Sequence, residues 1–224
     1  MLLIFDCDGV LVDSEPLAMR ILVDAMAAQG MAITLETAYR EFLGRSLASI
    51  LVSLHESYGA PLSEATLGGM RSDLYALYRQ QLRASPGLPG MLDQLKIPFC
   101  VASSSEPERI RLSLDVTGLL PWFEPNIFSA TMVENGKPAP DLFLHAAQQL
   151  GIQPSRCLVI EDSPAGILAA RNAGMAVFFY SGGSHIAPSG LAATIAALGP
   201  DAIFDDMHDL PDRLSSWRTE KKAR

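Results

Sequence analysis

Acidic residues follow short apolar runs of the kind that form buried strands. Asp6 and Asp8 come after the first run, and Glu161 and Asp162 come after a later one. On an extended segment, side chains two residues apart leave the backbone on the same face. Two adjacent carboxylates are unfavourable unless a cation lies between them or one of them is protonated. The carboxylates of Asp6 and Asp8, together with Asp162, predict an all-oxygen site of the kind that Mg²⁺ prefers.

A hydroxyl and a lysine occupy similar positions in the chain. Ser103 follows a second apolar run, and Lys137 stands in a Gly-Lys-Pro segment before a predicted helix. Because ligands of open α/β sheets bind outside the carboxyl ends of the strands, we expect both residues in the same crevice as the acids. Gly9 lets the backbone turn tightly, so that its amides can face an anion.

This set of groups suits phosphoryl transfer. A carboxylate can attack phosphorus only if the negative charge on both partners is neutralised, which Mg²⁺ and Lys137 could do together. The product would be an aspartyl-phosphate. A second acid nearby would protonate the leaving alcohol and then activate water.

The elements that must position these residues alternate between strands and helices. Apolar runs predict strands at Leu2–Phe5, Phe99–Ala102, Ile127–Ser129, Cys157–Ile160, Ala176–Tyr180 and Ala202–Phe204. Helical patterns lie between most of them. The alternation predicts an α/β fold, a three-layer Rossmann-like core with a mostly parallel sheet and helices on both faces.

One interval, between the first and second strands, is too long for an ordinary crossover or a structureless loop. Its patterns predict helices at Glu15–Gln29, Leu35–Leu43, Leu47–Ser57 and Ser63–Arg83. A segment rich in proline and glycine then returns the chain to the main body. We therefore predict a catalytic core at residues 1–13 and 86–224, with an inserted α-helical cap domain at residues 14–85.

Composition excludes several classes of protein. Hydrophobic residues make up 49% of the 224 residues, and the net charge is -8, so neither global disorder nor nucleic-acid binding is expected. No apolar stretch approaches the roughly 18 residues of a membrane span, and no protein partner is indicated. The cysteines Cys7, Cys100 and Cys157 lack metal-site spacing, which predicts buried thiols in a reducing cytoplasm.

Four motifs resemble those of the haloacid dehalogenase (HAD) superfamily. Residues 6–15, Asp-Cys-Asp-Gly-Val-Leu-Val-Asp-Ser-Glu, are similar to its first motif, and Ser103 matches its second. Lys137 in Gly-Lys-Pro-Ala-Pro-Asp resembles the third motif, and Glu-Asp-Ser-Pro-Ala-Gly at residues 161–166 resembles the fourth. Their order, and the helical insertion after the first motif, extend the resemblance over nearly the whole chain. It points to the sugar-phosphatase and β-phosphoglucomutase-like branch with a helical cap.

The resemblance implies a role for each matching acid. Asp6 would be the nucleophile and would also bind Mg²⁺. Asp8 would be the general acid and base, and its backbone carbonyl would bind the metal. Asp162 would be the third protein ligand, with Glu161 beside it as a ligand or as a supporting residue.

Two further residues, Ser103 and Lys137, would hold the transferring phosphoryl group. Arg45 and Ser46 lie at a turn of the predicted cap that could face the crevice, and they are candidate substrate contacts.

The implied function is a Mg²⁺-dependent phosphatase that hydrolyses a small phosphorylated metabolite, a sugar or sugar-acid phosphate, through an aspartyl-phosphate.

Two alternative functions stay open. β-Phosphoglucomutases carry a cap histidine and a cap arginine at positions that fall here on Ala18 and Leu47. Losing those groups weakens the hold on a bisphosphorylated intermediate, so net hydrolysis is favoured over a phosphohexomutase. A phosphate-binding protein without catalysis is the other alternative, and the intact acids Asp6 and Asp8 argue against it.

Other polar residues are expected to serve the structure. Ser14 would cap the first inserted helix, and Ser105 with Glu108 has the spacing of a capping box for the helix after the second strand. The four histidines, at positions 55, 145, 185 and 208, share no spacing and are expected to be structural.

Overall fold

A six-stranded sheet runs through the centre of the computed structural model, which describes residues 1–42, 47–59 and 63–223. Its strands are β1 (Leu2–Phe5), β2 (Phe99–Ser103), β3 (Ile127–Ser129), β4 (Cys157–Glu161), β5 (Ala176–Tyr180) and β6 (Ala202–Phe204). They lie in the order β3-β2-β1-β4-β5-β6, and each neighbouring pair is parallel. The predicted α/β class with a mostly parallel sheet is confirmed.

Two strands extend one residue further than the sequence predicts. Ser103 pairs with Ser129 at the end of β2, and Glu161 pairs with Phe179 at the end of β4. The two polar residues are therefore the last residues of their strands and do not follow them. Sheet pairing overrides side-chain polarity here because backbone groups at a buried strand end need hydrogen-bond partners.

Helices cover both faces of the sheet. They are α5 (Leu88–Gln94), α6 (Pro107–Val116), α7 (Leu120–Phe123), α8 (Asp141–Gln149), α9 (Pro164–Asn172), α10 (Ile186–Ser189), α11 (Ala192–Ala197) and α12 (Leu210–Ala223). Leu3 and Phe5 of β1 pack with α5, α6, α7 and α12, and Leu2 and Ile4 pack with α8 to α11. Both faces of β1 are thus apolar, which explains its unbroken apolar sequence.

Four helices fill the interval between β1 and β2. They are α1 (Glu15–Ala28), α2 (Leu35–Phe42), α3 (Leu47–Tyr58) and α4 (Glu64–Gln81), and each lies where the sequence predicts a helix. We call them the helical insertion. A separate cluster of buried apolar side chains, including Met26, Phe42 and Leu54, holds α1, α2 and α3 together.

The two connections between the insertion and the sheet lie side by side. Val12 and Ala84 form an antiparallel bridge, the Asp13 amide donates to the Arg83 carbonyl at 3.0 Å, and the Ser85 amide donates to the Leu11 carbonyl at 2.9 Å. The chain therefore leaves and re-enters the sheet region through one paired segment.

Two further observations bear on the expected class of protein. Within the described ranges, no helix is both long and apolar enough to cross a membrane. Cys7, Cys100 and Cys157 are buried and unpaired, which confirms the prediction of buried thiols.

Candidate active site

The chemistry-bearing residues converge at the carboxyl edge of the sheet. Asp6 follows β1, Ser103 ends β2, and Glu161 ends β4, and all three side chains are buried. A cavity of about 210 Å³ lies over this edge and extends to the helical insertion. Its position beside the central strand β1 is where a parallel sheet of this strand order binds ligands.

Lys137 joins two of the acids. Its Nζ atom lies 2.5 Å from Asp6 Oδ1 and 2.7 Å from Glu161 Oε1. Burial lowers the pKa of the Lys137 ammonium, but the two carboxylates outweigh that effect, so its net pKa is raised. The lysine is therefore a fixed positive charge at the base of the cavity, and it also lies 4.9 Å from the centroid of the Phe143 ring.

The carboxylate cluster consists of Asp6, Glu161 and Asp162, which can each offer an oxygen within 4.8 Å of the others. Burial, and after it the charge of Glu161, raises the pKa of Asp162 well above its usual value. Burial also raises the pKa of Asp6, although Lys137 opposes the rise. The raised pKa values mean that burial disfavours the anionic forms and that the positive charge nearby does not offset it.

Glu161 is fixed by the loop that follows it. Its Oε2 atom accepts hydrogen bonds from the backbone amides of Asp162 and Ser163 at 2.8 Å, and from Ser163 Oγ at 2.9 Å. Ser163 in turn caps α9 by accepting from the Gly166 amide. A Cβ atom on Gly166 would lie only 1.7 Å from Glu161 Oε1, so the close approach of α9 to the cluster requires glycine.

Asp8 is held by a different set of partners. Its Oδ1 accepts from Ser14 Oγ at 2.6 Å and from Arg109 Nη2 at 2.8 Å. Its Oδ2 accepts from Ser105 Oγ at 2.6 Å and, more weakly, from Ser103 Oγ at 3.3 Å. Burial raises the pKa of Asp8, but Arg109 and the hydroxyl groups outweigh burial and leave it lowered.

Three of these partners are absent from the residues that the sequence singles out for chemistry. Ser14 makes no side-chain cap on α1, so that expectation is wrong. Ser105 does not cap α6, because Glu106 precedes the helix at Pro107 and the Ser105 hydroxyl bonds to Asp8 instead. Arg109 carries no motif signal, but it lies in the first turn of a helix that begins just after β2.

His185, for which the sequence predicts a structural role, lies beside Asp162 of the carboxylate cluster. It is fully buried, and its Nε2 atom lies 2.9 Å from Asp162 Oδ2. The two atoms do not form a hydrogen bond. Burial lowers the pKa of His185, although Glu15 and Asp13 act in the opposite direction.

Glu15 lines the cavity at the start of α1 and is buried. Burial, reinforced by the negative charge of Asp8, raises its pKa to about 8. At neutral pH its carboxyl group is therefore mainly protonated and can donate a hydrogen bond into the cavity. The sequence gives only a helix-start signal at this position.

The far wall of the cavity belongs to the helical insertion. It is mainly apolar, with Met19, Leu22, Phe42, Ile50, Met70 and Leu74 among its residues. Arg71 on α4 lies 3.1 Å from Glu106 and so joins the insertion to the sheet side of the cavity. The predicted contacts Arg45 and Ser46 lie outside the described residues.

A sequence-family profile for haloacid dehalogenase-like hydrolases matches residues 1–174. A 6-phosphogluconate phosphatase of Escherichia coli (strain K12) is 29% identical over 185 residues, which span 82% of this chain and 84% of that protein.

Two solved structures are similar over almost their whole length. A haloacid dehalogenase-like protein of unknown function from Agrobacterium tumefaciens aligns with a TM-score of 0.81 and 35% identity, covering 96% of this chain and 97% of that one. A HAD family hydrolase from Deinococcus radiodurans, with bound phosphate and sodium, aligns with a TM-score of 0.75 and 32% identity. That alignment covers 96% of this chain and 95% of that one.

The buried carboxyl of Glu15 predicts a pH dependence of stability. Its pKa is about 8 in the folded protein and 4.5 in the unfolded chain. Its contribution to stability is therefore fully present below the lower value and is lost as the pH rises through the higher one. Between about pH 6 and pH 9, without metal, we expect the free energy of unfolding of the wild type to fall by about 2–3 kcal/mol more than that of Glu15→Gln.

Urea unfolding at a series of pH values measures this difference. The exposed Glu56 on α3 provides the matched control, since Glu56→Gln should keep the wild-type slope. Equal slopes for Glu15→Gln and the wild type would show that the Glu15 carboxyl titrates as an ordinary exposed group.

Proposed function

The chain belongs to the haloacid dehalogenase-like hydrolase family, and from this premise we propose that it is a Mg²⁺-dependent phosphatase acting through an aspartyl-phosphate on Asp6. The phosphatase among its relatives indicates a phosphoric monoester hydrolase, as the sequence predicts. The observation that carries the proposal is the buried contact between Asp6 and Lys137 beside Asp162.

The carboxylate cluster fits a divalent cation. Asp6, Glu161 and Asp162 place three buried carboxylates beside the ammonium group of Lys137, and a divalent cation would neutralise the excess negative charge. Hard oxygen ligands in a small cluster suit Mg²⁺, which Asp6 and Asp162 would hold with Glu161 in support. Asp8 would contribute its backbone carbonyl. Bound Mg²⁺ supplies charge neutralisation to the phosphoryl group and to the attacking carboxylate.

In the first step, an oxygen of Asp6 forms a bond to phosphorus while the bond from phosphorus to the ester oxygen breaks. Lys137 and Ser103 hold the phosphoryl oxygens during this displacement. Asp8, in its protonated form, gives its proton to the departing alcohol. A phosphate dianion entering beside Asp8 raises the pKa of that carboxyl and so favours the form that donates.

In the second step, Asp8 acts as a base. It removes a proton from a water molecule, whose oxygen attacks the phosphorus of the aspartyl-phosphate. The acyl-phosphate bond breaks, inorganic phosphate leaves and the Asp6 carboxylate is restored. Arg109, Ser14 and Ser105 favour this step, because they stabilise the anionic carboxylate that Asp8 must present.

We propose a sugar or sugar-acid phosphate as the substrate, and the similarity to a 6-phosphogluconate phosphatase supports this class. The helical insertion, within residues 14–85, would act as a cap domain that covers the substrate, with Arg45 and Ser46 as contacts. The paired segment at Val12 and Ala84 offers a narrow connection about which such a cap could move. A cytoplasmic location remains a prediction.

Net hydrolysis is favoured over a phosphohexomutase. Ala18, at the position where the mutases carry a histidine, lines the cavity with a methyl group. No proton donor therefore stands at this position to serve a second sugar hydroxyl. A phosphate-binding protein without catalysis is disfavoured, because such a protein has no need of a nucleophile beside Lys137.

Asp6→Asn should reduce phosphatase activity by at least three orders of magnitude, because an amide oxygen is a poor nucleophile and a poor metal ligand. The measurement is phosphate release from p-nitrophenyl phosphate and from a panel of sugar phosphates. The exposed Asp115 on α6 provides the control, since Asp115→Asn makes the same chemical change away from the site and should keep full activity. More than a few per cent of wild-type turnover in Asp6→Asn would refute covalent catalysis at this residue.

Removal of divalent cations should abolish the same activity, and added Mg²⁺ should restore it. Ca²⁺ should fail to restore it and should compete with Mg²⁺, because its larger and looser coordination would misplace the attacking oxygen. Phosphate release in excess chelator, followed by titration with each cation, measures this. Undiminished activity in excess chelator would remove the metal from the proposal.

A further inference from the structure

His185 is a fully buried polar residue on the side of Asp162 that faces Gly9 and Gly183. Its Nε2 atom is 2.9 Å from Asp162 Oδ2, yet both atoms lack a hydrogen-bond partner, and so does His185 Nδ1. Burying unpaired polar atoms costs free energy that an aliphatic side chain of similar size would avoid. An imidazole at this place therefore needs a reason other than packing.

Two glycines leave the space that the ring occupies. A Cβ atom on Gly9 would lie 2.8 Å from His185 Cε1 and 1.8 Å from Asp162 Oδ2, and one on Gly183 would lie 2.5 Å from His185 Cε1. Gly9 also has a φ of +81°, which favours glycine. Backbone thus encloses the ring on two sides and fixes it against one particular oxygen of Asp162.

The contact between His185 and Asp162 bears on how the Asp162 carboxylate is oriented as a metal ligand. Groups that donate a hydrogen bond to one oxygen of a ligating carboxylate fix its rotation and direct the other oxygen to the ion. In the carboxylate cluster, Lys137 does this for Asp6 through Oδ1. Both oxygens of Glu161 already have donors, since Lys137 contacts Oε1 and the following backbone amides bond to Oε2. Within the described residues, His185 is the side-chain nitrogen paired with Asp162.

We propose that His185 is a positioning residue for the metal site, whose Nε2–H donates to Asp162 Oδ2 and so directs the second carboxylate oxygen of Asp162 to a divalent cation. The 2.9 Å that separates the two atoms is within the range of an N–H···O hydrogen bond. This inference rests on the proposed Mg²⁺ site.

The test is Mg²⁺ binding to the substrate-free protein, measured by titration calorimetry, with three variants. His185→Leu keeps the volume but removes the donor, and it should weaken Mg²⁺ binding about 10- to 100-fold. His185→Gln places an amide Nε2 near the position of the ring Nε2 and should restore binding to within about threefold of wild type. His145→Leu, which removes a histidine that contacts Phe128 elsewhere in the core, is the control and should bind as wild type does.

Nitrogen NMR of the wild-type protein provides a measurement that does not depend on the variants folding. Addition of Mg²⁺ should shift the proton resonance of His185 Nε2–H downfield and slow the exchange of this proton with water, because the hydrogen bond to Asp162 forms. Wild-type affinity in His185→Leu, or no change in this resonance on saturation with Mg²⁺, would overturn the inference while leaving the metal site intact. If the wild type binds no Mg²⁺ at all, the proposed metal site fails as well, and the two failures are thereby distinguished.

Discussion

The rest of the site depends on one interaction, the pairing of the buried Lys137 ammonium group with the carboxylates of Asp6 and Glu161. Buried charges are costly unless they are paired, and here one lysine contacts both Asp6 and Glu161 while Asp162 lies beside them. Burial raises the pKa of Asp6 and of Asp162, and the negative charge of the neighbouring Glu161 raises both further. The three carboxylates of the site therefore need more positive charge than Lys137 supplies. A divalent cation would supply this charge, and a phosphate dianion could then approach the Asp6 carboxylate.

The sheet makes this concentration of charge possible. Parallel strands place their carboxyl ends at one edge, so that residues distant in sequence meet there, and the apolar strands supply a rigid base. This part of the structure could be predicted from sequence, since strands buried on both faces are continuous apolar runs with sharp ends. The sequence predicts β2 and β4 one residue too short, because the pairing of Ser103 and Glu161 depends on neighbouring strands that local polarity does not reveal.

The partners of Asp8 could not be predicted for a related reason. Ser14 and Ser105 each precede a helix, and local sequence favours a cap for both. Each hydroxyl can instead donate to the buried carboxylate of Asp8, which is a strong acceptor because it is charged. Only the tertiary structure brings that carboxylate within reach. The same holds for Arg109, Glu15 and His185, whose importance comes from burial next to acids. Ser103, Lys137 and the acids of the motifs are different, because their position at strand ends and before a helix was itself the signal.

Chemical identification of the phosphorylated residue tests most directly whether Asp6 is the nucleophile. Sodium borohydride reduces an aspartyl-phosphate to homoserine, so the enzyme is mixed rapidly with p-nitrophenyl phosphate and Mg²⁺, quenched with borohydride and digested for peptide mass spectrometry. We expect homoserine at position 6, with Asp8 and Asp162 unchanged, and none when substrate is omitted. Homoserine at another position, or none at position 6 during steady turnover, would contradict covalent catalysis by Asp6.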